Sequence, residues 1–468
     1  MGKNGGFLRF LTFMMALVAS SSVCGPALAA DIYVGAGEVY KTIQSGIDAA
    51  SGGDVVTVRD GRYTGTGNKD IDLKGKAITV KSENGPDNCI IDMQGSGRGF
   101  YFHNSETSAT VVSGFTITNA CDYTGGAFCL LNSSPSICGC AMTRNTARIV
   151  GGAIYCIYRS NPIVTNCSIS GNSAERGGGI YSDFSASPAI TGCTITGNTA
   201  DYGGGGICCQ NDATANISSC WISSNSASFG GGIYSYEAAS PIIRDCTIIG
   251  NTAGFGGGVF GSSALTLSRC TLTKNSSDYG GGVCCDSSSQ VNIENCFIVG
   301  NNANQGGGIH CYSNIANIIG CTVSENVAGL GGGICVSTGS GTGPSLTIGN
   351  CLINRNTANF GAGIYSYSSV SIDTCIIAKN NSTENGGGIY FNNNSSEVSN
   401  CTLVANTAKL GGGGIYSSES SSSIYNSIVW NNSPTQVQES NSAGSSVVVA
   451  FSDVEGGYGG EGNLDSDP

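Results

Sequence analysis

The sequence predicts an all-β protein, a single parallel β-helix (solenoid) of about a dozen coils of ~26 residues, with a short capping helix near its N-terminus. Three observations carry this expectation. A phrase recurs: Asn172-Ser173-Ala174 then Gly177-Gly178-Gly179-Ile180-Tyr181, Asn225-Ser226-Ala227 then Gly230-Gly231-Gly232-Ile233-Tyr234, Asn251-Thr252-Ala253 then Gly256-Gly257-Gly258-Val259. Cysteine returns to one slot, at Cys140, Cys167, Cys193, Cys220, Cys246, Cys270, Cys296, Cys321, Cys351, Cys375 and Cys401, in steps of 24 to 30 residues. The local apolar pattern has period two, with Cys193 and Ile195 on one face and Thr194 on the other. Helix-pair repeats need 33 residues or more and a 3.6-residue pattern, and neither is present.

Composition agrees. Glycine is 73 of 468 residues, roughly twice the usual ~7 % share, and charged residues are 11 %. Disorder would fit those figures, but a disordered tract does not hold Ile and Cys in fixed phase. The net charge is −12 and the 20 Lys and Arg are scattered singly, so nucleic acid is excluded as a partner class.

Residues 1–30 read as a signal peptide. Lys3 and Arg9 supply the positive start, Phe10 to Val18 the apolar run, and Ala27-Leu28-Ala29 the small-x-small cleavage site. No later segment approaches the ~20 apolar residues of a membrane helix, so the mature chain is expected to be exported without a transmembrane segment. Loss of Cys24 leaves 22 of 23 cysteines.

Residues 31–113 form a less regular cap and the first coils. Asp31 to Val34 is a strand. Thr42 N-caps a helix from Ile43 to Ala50 with Ile43, Ile47 and Ala50 on one face, stopped by Gly52-Gly53. Short strands follow at Asp54 to Val58, Ala77 to Lys81, Cys89 to Met93, Phe100 to Phe102 and Ala109 to Thr118. Residues 114–432 hold the regular coils. Asparagine returns at Asn119, Asn145, Asn172, Asn198, Asn225, Asn251, Asn275, Asn301, Asn326, Asn356, Asn380, Asn406 and Asn432, with glycines after each but the last. Each coil has three strands, around Cys193-Thr194-Ile195, Ile233-Tyr234-Ser235 and Pro241-Ile242-Ile243. Stacked at ~4.8 Å, a dozen coils make a rod of roughly 60 Å. The Ile and Cys slots face the core, the glycines allow positive φ and close approach, and the Asn slot suits a turn whose amides can stack into a ladder. Residues 433–468 form a last irregular coil. Ser427 replaces the ladder cysteine, Val447 to Phe451 is one more strand, and no apolar cap follows, which implies further chain or a covering partner.

Candidate chemistry falls into three groups. The thiols include the vicinal pairs Cys208-Cys209 and Cys284-Cys285. They are open to three readings, namely buried reduced filler, disulfides between coils, or metal ligands, with His103 and His310 the only histidines. The tyrosines Tyr155, Tyr181, Tyr234, Tyr365, Tyr390 and Tyr416 follow the inward Ile and are expected to face outward, as a self-stabilising stack or a stripe that binds sugar faces. Phe260, His310 and Cys335 fill the same slot. The carboxylates Asp183, Asp212, Glu237, Asp286 and Glu419 are scattered over different coils. Arg244, Asp245, Arg269 and Glu294 come nearest to a cluster, read as a surface salt-bridge column or, for Asp245, Arg269 and Glu294, as catalytic candidates. No cofactor is called for unless the protein is a lyase, which would need a base and a Ca²⁺ site.

Tyr40-Lys41-Thr42-Ile43-Gln44 through Asp48-Ala49-Ala50, then Gly53-Asp54-Val55-Val56 and Gly61-Arg62-Tyr63, resembles the entry segment of pectin-lyase-like β-helix proteins. From about Gly114 to Asn432 the unit resembles the repeat of chlamydial-type polymorphic outer membrane proteins, which pair a G-G-A-I phrase with an F-x-x-N phrase. Gly151-Gly152-Ala153-Ile154 matches the first phrase, and Ile195 to Asn198 is a variant of the second. The resemblance implies a right-handed β-helix at the cell exterior or outer membrane, with adhesive roles. No C-terminal β-barrel pattern follows, and the Asn-Thr-Asp, Gly-His-Gly and Asp-Pro-His-Asp phrases of enzymatic relatives are missing. The leading expectation is therefore an exported, non-catalytic scaffold for adhesion or glycan binding. The alternatives are a polysaccharide lyase or hydrolase of the pectin-lyase-like class, or a structural layer component.

Overall fold

A computed structural model describes residues 29–286, 290–312, 315–337, 346–442 and 444–468. The signal segment expected at 1–30 lies, but for its last two residues, outside the described ones. The chain winds into a β-solenoid with three long sheets of 17, 16 and 14 strands, paired in parallel from coil to coil. One coil shows the plan: Thr194–Thr196, then Thr199–Gly203, Ile207–Cys209 and Asn216–Ser218, before Trp221–Ser223 opens the next. The fourth piece, Thr199–Gly203, is an addition to the three strands expected, and belongs to short strips of four, two and three strands. The irregular ends contribute coils too, so the solenoid has about 16 turns rather than a dozen.

The core is three aliphatic columns. Val164, Ile190, Ile217 and Ile243 stack in the first sheet, Ile169, Ile195, Ile222 and Ile248 in the second, and Ile180, Ile207, Ile233 and Val259 in the third, all fully buried. One coil alone could not bury these side chains; its neighbours above and below do. At the N-terminal end the helix runs Ile43–Ala49. Thr42 Oγ1 accepts from Ser45 N–H (3.2 Å) and Ser45 Oγ accepts from Thr42 N–H (3.2 Å), a capping box. The helix lies directly on the first strand because Gly46 has no Cβ, which would meet Val34 Cγ2 at 2.4 Å.

Two polar ladders run through the core. From Asn172 to Asn432, each side-chain oxygen accepts the backbone N–H and the Nδ2 of the asparagine one coil earlier; Asn275 Oδ1 takes Asn251 N and Nδ2 at 2.9 and 3.0 Å. Each Nδ2 also donates to a carbonyl of the preceding coil, as Asn275 does to Ile248 (2.9 Å). Asn119 is not a rung. It sits one residue early at positive φ, and Ala120 fills the slot, donating its N–H to Asn145 Oδ1 (3.0 Å). The positive-φ turn expected of the ladder asparagines belongs instead to the residue before each, such as Arg144, Gly171, Gly197 and Ser224. At the far end Gln436 Oε1 takes both Asn432 donors (3.1 and 2.8 Å), standing in for the next rung.

The second ladder is the cysteine slot. Each thiol donates to the carbonyl two residues back, and several accept the backbone N–H of the preceding coil, as Cys246 Sγ does from Cys220 (3.4 Å). Ser427 and Ser452 continue the same pattern, accepting from Cys401 and Ser427 N–H at 3.1 Å, so serine extends the slot rather than ending it. The 22 cysteines are free thiols.

The last coil is covered by its own tail. Leu464 bridges to Asp453, Asn463 Nδ2 donates to Val449 O (2.9 Å), and Tyr458 packs on the core, in place of the bare edge expected there. No helix among the described residues is long and apolar enough to cross a membrane.

Candidate functional site

The glycine corners set the outer surface. The first glycine of each phrase has positive φ, +61° at Gly177. The second and third sit where a Cβ would meet backbone oxygen of the next coil, at 2.3 Å for Gly178 and 2.5 Å for Gly179. The tyrosine that follows does point away from the core, yet it is not a solvent-facing stripe. Tyr181, Tyr234 and Tyr365 are only 3, 2 and 5 % exposed, and Tyr155, Tyr390 and Tyr416 are half-buried. A ridge of rings from just before the corners covers part of the file: Phe229, Phe255 and Tyr279 stack at 5.3 and 4.9 Å and lean over Tyr234 and Phe260. Burial pushes the Tyr181 and Tyr234 hydroxyls well above the ordinary phenol range. This second apolar layer corrects the expectation of an open outward stripe.

His310 is wholly buried in the same layer. Its Nδ1 lies 3.8 Å from Cys284 Sγ, its Nε2 2.9 Å from Ser337 Oγ, and its ring against Tyr279 and Tyr312. Burial lowers its pKa to about 3, leaving it neutral, and raises the Cys284 thiol. No group of three or more His, Cys, Asp or Glu able to hold a metal occurs among the described residues.

The catalytic candidates separate. Asp245 and Arg269 occupy one positive-φ turn slot on adjacent coils and form an exposed two-pronged ion pair (2.8 and 2.8 Å), which holds the Asp245 carboxyl below its usual range. Glu294 stands one residue before that slot, at the end of strand Gln290–Glu294, and meets Arg269 through its backbone carbonyl (3.0 Å). The salt-bridge column is thus a pair.

The chemistry that converges lies at another corner, the turn after the third sheet. There two consecutive residues adopt positive φ in four successive coils: Tyr158-Arg159, Phe184-Ser185, Asn211-Asp212 and Glu237-Ala238. Such a backbone is strained for non-glycine residues and persists only where the surroundings fix it. They do here. Ser160 Oγ donates to Ile157 O (2.6 Å), and the buried Asp183 carboxylate accepts from Phe184 N–H (2.8 Å) and Asn211 Nδ2 (2.7 Å). Tyr181 OH donates to Gln210 Oε1 (2.7 Å) and lies 3.2 Å from Asp183, while Gln210 Nε2 donates to Glu237 (2.6 Å). The buried tyrosine therefore anchors the turn from beneath.

The result is a shaped surface. Tyr158 and Phe184 are 53 and 49 % exposed, their rings 5.5 Å apart and tilted by 33°. They line a cavity of about 320 Å³ with Asn132, Arg159, Asn211 and Asp212. A second cavity of about 490 Å³, including Tyr236, Glu237, Asp286 and Gln290, lies further along the same side. Three carboxylates that looked scattered in the sequence, Asp212, Glu237 and Asp286, therefore face neighbouring hollows, while Asp183 is buried beneath. Glu419 is elsewhere, on a distant coil. The sequence signal for this site was the short run between the Ile-x-x strand and a small buried residue (Ser160, Ala186, Ala213, Ala239), where the repeat stops repeating.

Fold and groove together define a solenoid with two neighbouring hollows along one side. The family described as right handed beta helix region matches residues 178–345, and the Chlamydia polymorphic membrane protein repeat matches residues 166–183. The chain thus carries a right-handed β-helix region and a repeat of that kind. Similar solved structures include a complex of alginate lyase AlyF-OU02 (11 % identity, 88 % of each chain covered, TM-score 0.37). They also include the A-module of a mannuronan C-5 epimerase from Azotobacter vinelandii (13 %, 91 % of this chain and 94 % of that one, TM-score 0.24). A third is the catalytic unit of an α-1,3-glucanase from Streptomyces thermodiastaticus (11 %, 91 % and 66 %, TM-score 0.22). No curated protein matches the chain.

Proposed function

We propose that this is an exported β-helix, displayed at the cell exterior or outer-membrane surface, that binds glycans on its side groove without cleaving them. The exposed Tyr158–Phe184 pair carries the reading. Aromatic faces accept the apolar C–H edges of sugar rings, and the groups around them supply what hydroxyls need: amide donors and acceptors from Asn132 and Asn211, a carboxylate from Asp212, a forked donor from Arg159. The strained turns hold these side chains on rigid coils, so little ordering is needed on binding. The export part rests on the N-terminal residues and the polymorphic membrane protein repeat.

The test is retention of the protein on a panel of neutral glycans and polyuronates, with and without Ca²⁺. Tyr158→Ala and Phe184→Ala are each expected to weaken retention about tenfold or more, roughly 1.4 kcal/mol, while Tyr416→Ala leaves it unchanged. Unsaturated product absorbing in the ultraviolet, or released reducing ends, would overturn the non-catalytic reading and favour the lyase or hydrolase. Unaltered retention by both ring variants would remove the groove from consideration.

A further inference from the structure

We infer that the groove takes its ligand along the rod axis, as a linear glycan free of carboxylate and sulfate groups; this rests on the glycan-binding reading above. The geometry is a stack of equivalent slots. Arg159 N–H donates to Phe184 O (3.1 Å), Ser185 N–H to Asn211 O (2.9 Å) and Asp212 N–H to Glu237 O (3.2 Å), so the paired turns lie one directly above the next. Their spacing is the strand spacing, ~4.8 Å. That is close to the advance of one sugar ring in an extended chain. A glycan lying along the axis meets a new turn at about each ring, whereas one lying across it meets a single coil.

The slots also change character in order. Asn132 comes first, then the stacking pair Tyr158 and Phe184, then Asn211 with Asp212, then Glu237, at the edge of the second cavity. The two cavities adjoin, since Asp212 and Glu237 belong to coils joined by that 3.2 Å hydrogen bond. The apolar faces at one end and the hydrogen-bonding groups at the other form a continuous track over at least four coils.

Charge selects among linear glycans. Among the described residues, Arg159 is the one cation lining the two hollows, against the carboxylates Asp212, Glu237 and Asp286. The whole chain carries −12. A polyuronate or sulfated chain laid on this track would place an anion at nearly every ring opposite these groups, within the ~8 Å screening length of physiological salt. A neutral chain meets the same carboxylates as hydrogen-bond acceptors for its hydroxyls.

The experiment is calorimetric titration of the intact protein, at physiological salt, with cello-, manno- and N-acetylchito-oligosaccharides of two to six units and with oligogalacturonates of the same lengths. At least one neutral series is expected to gain affinity with each added ring up to about five, in total about a hundredfold, and the acidic series to bind about tenfold or more weaker at equal length. Asp212→Asn with Glu237→Gln, both exposed positions, is expected to narrow the gap between the two series about fivefold. A hexamer no tighter than its dimer would overturn the axial track while leaving the Tyr158–Phe184 site intact. Preference for the acidic series, or a gap unchanged in the double variant, would overturn the charge selection. Binding that survives Tyr158→Ala and Phe184→Ala together would overturn the underlying reading instead.

Discussion

Replacing Asn275 by alanine tests what the asparagine ladder contributes. Asn275 is 1 % exposed. Its oxygen takes Asn251 N–H and one Asn251 Nδ2 proton, and its Nδ2 feeds Ile248 O and Asn301 Oδ1. The variant strands two buried donors of Asn251 outright; Asn301 Oδ1 keeps the Asn275 backbone N–H (3.0 Å). At ~1–3 kcal/mol for each stranded buried group, the expected cost is roughly 2–6 kcal/mol. Because every coil touches only its neighbours, the loss appears first around Asn275 rather than along the whole rod. The assay is urea unfolding together with amide hydrogen exchange, read at Asn251 and at a distant rung such as Asn406. Gln436→Ala is the matched control. It strands the same two donors on the buried Asn432, but Gln436 itself is half-buried and water can take its place, so under about 1.5 kcal/mol is expected. If Asn275→Ala costs no more than Gln436→Ala, or leaves exchange at Asn251 unchanged, the ladder does not stabilise the rod.

Three further outcomes are expected. Gly231→Ala puts a Cβ 2.5 Å from Thr252 O and 2.7 Å from Gly257 O, backbone atoms that cannot yield, and should cost about 3 kcal/mol or more, whereas Gly171→Ala, with open space around it at φ +62°, should cost only ~1–2 kcal/mol by thermal unfolding. Alkylation without reductant, followed by mass measurement, should label chiefly the half-buried Cys121 and Cys138 in the native protein and all 22 thiols once unfolded; burial pushes Cys209 and Cys335 up to about 12 and keeps them unreactive. His310 is held neutral, with its pKa lowered from 6.5 to about 3. The unfolded chain therefore binds the extra proton, and stability is intact above pH 6.5 and falls as pH drops toward 3, by up to ~1.4 kcal/mol per pH unit. His310→Gln should flatten that slope in urea unfolding across the same window.

The period made most of the fold legible. A cysteine and an isoleucine in fixed phase sufficed to place the aliphatic columns, and recurring asparagine to place the ladder, because stacking repeats whatever a single coil does. The end caps were less legible. Gln436 and the tail around Asn463 act through side-chain hydrogen bonds outside the repeat that no pattern announces. The burial of Tyr181 and Tyr234 was missed for a different reason. Period two correctly turned these rings outward, but outward of a sheet is not the same as toward water, and a covering ridge lies at Phe229, Phe255 and Tyr279, just before the glycines. The groove was least legible. Its residues are those that differ from coil to coil, so Tyr158, Phe184 and Asp212 share a slot class only once the backbone shows their paired positive φ.

The rung-to-rung hydrogen bonds of the asparagine ladder all point one way, each rung offering donors to the next, and Gln436 closes the series with an oxygen of its own. A chain built so has no fixed copy number. Duplication or deletion of a ~26-residue segment between Asn145 and Asn432 leaves both ends of the ladder and its rung-to-rung junctions chemically unchanged. Gene-level expansion and contraction can thus lengthen or shorten the molecule in steps of one coil without a new folding problem to solve at each step.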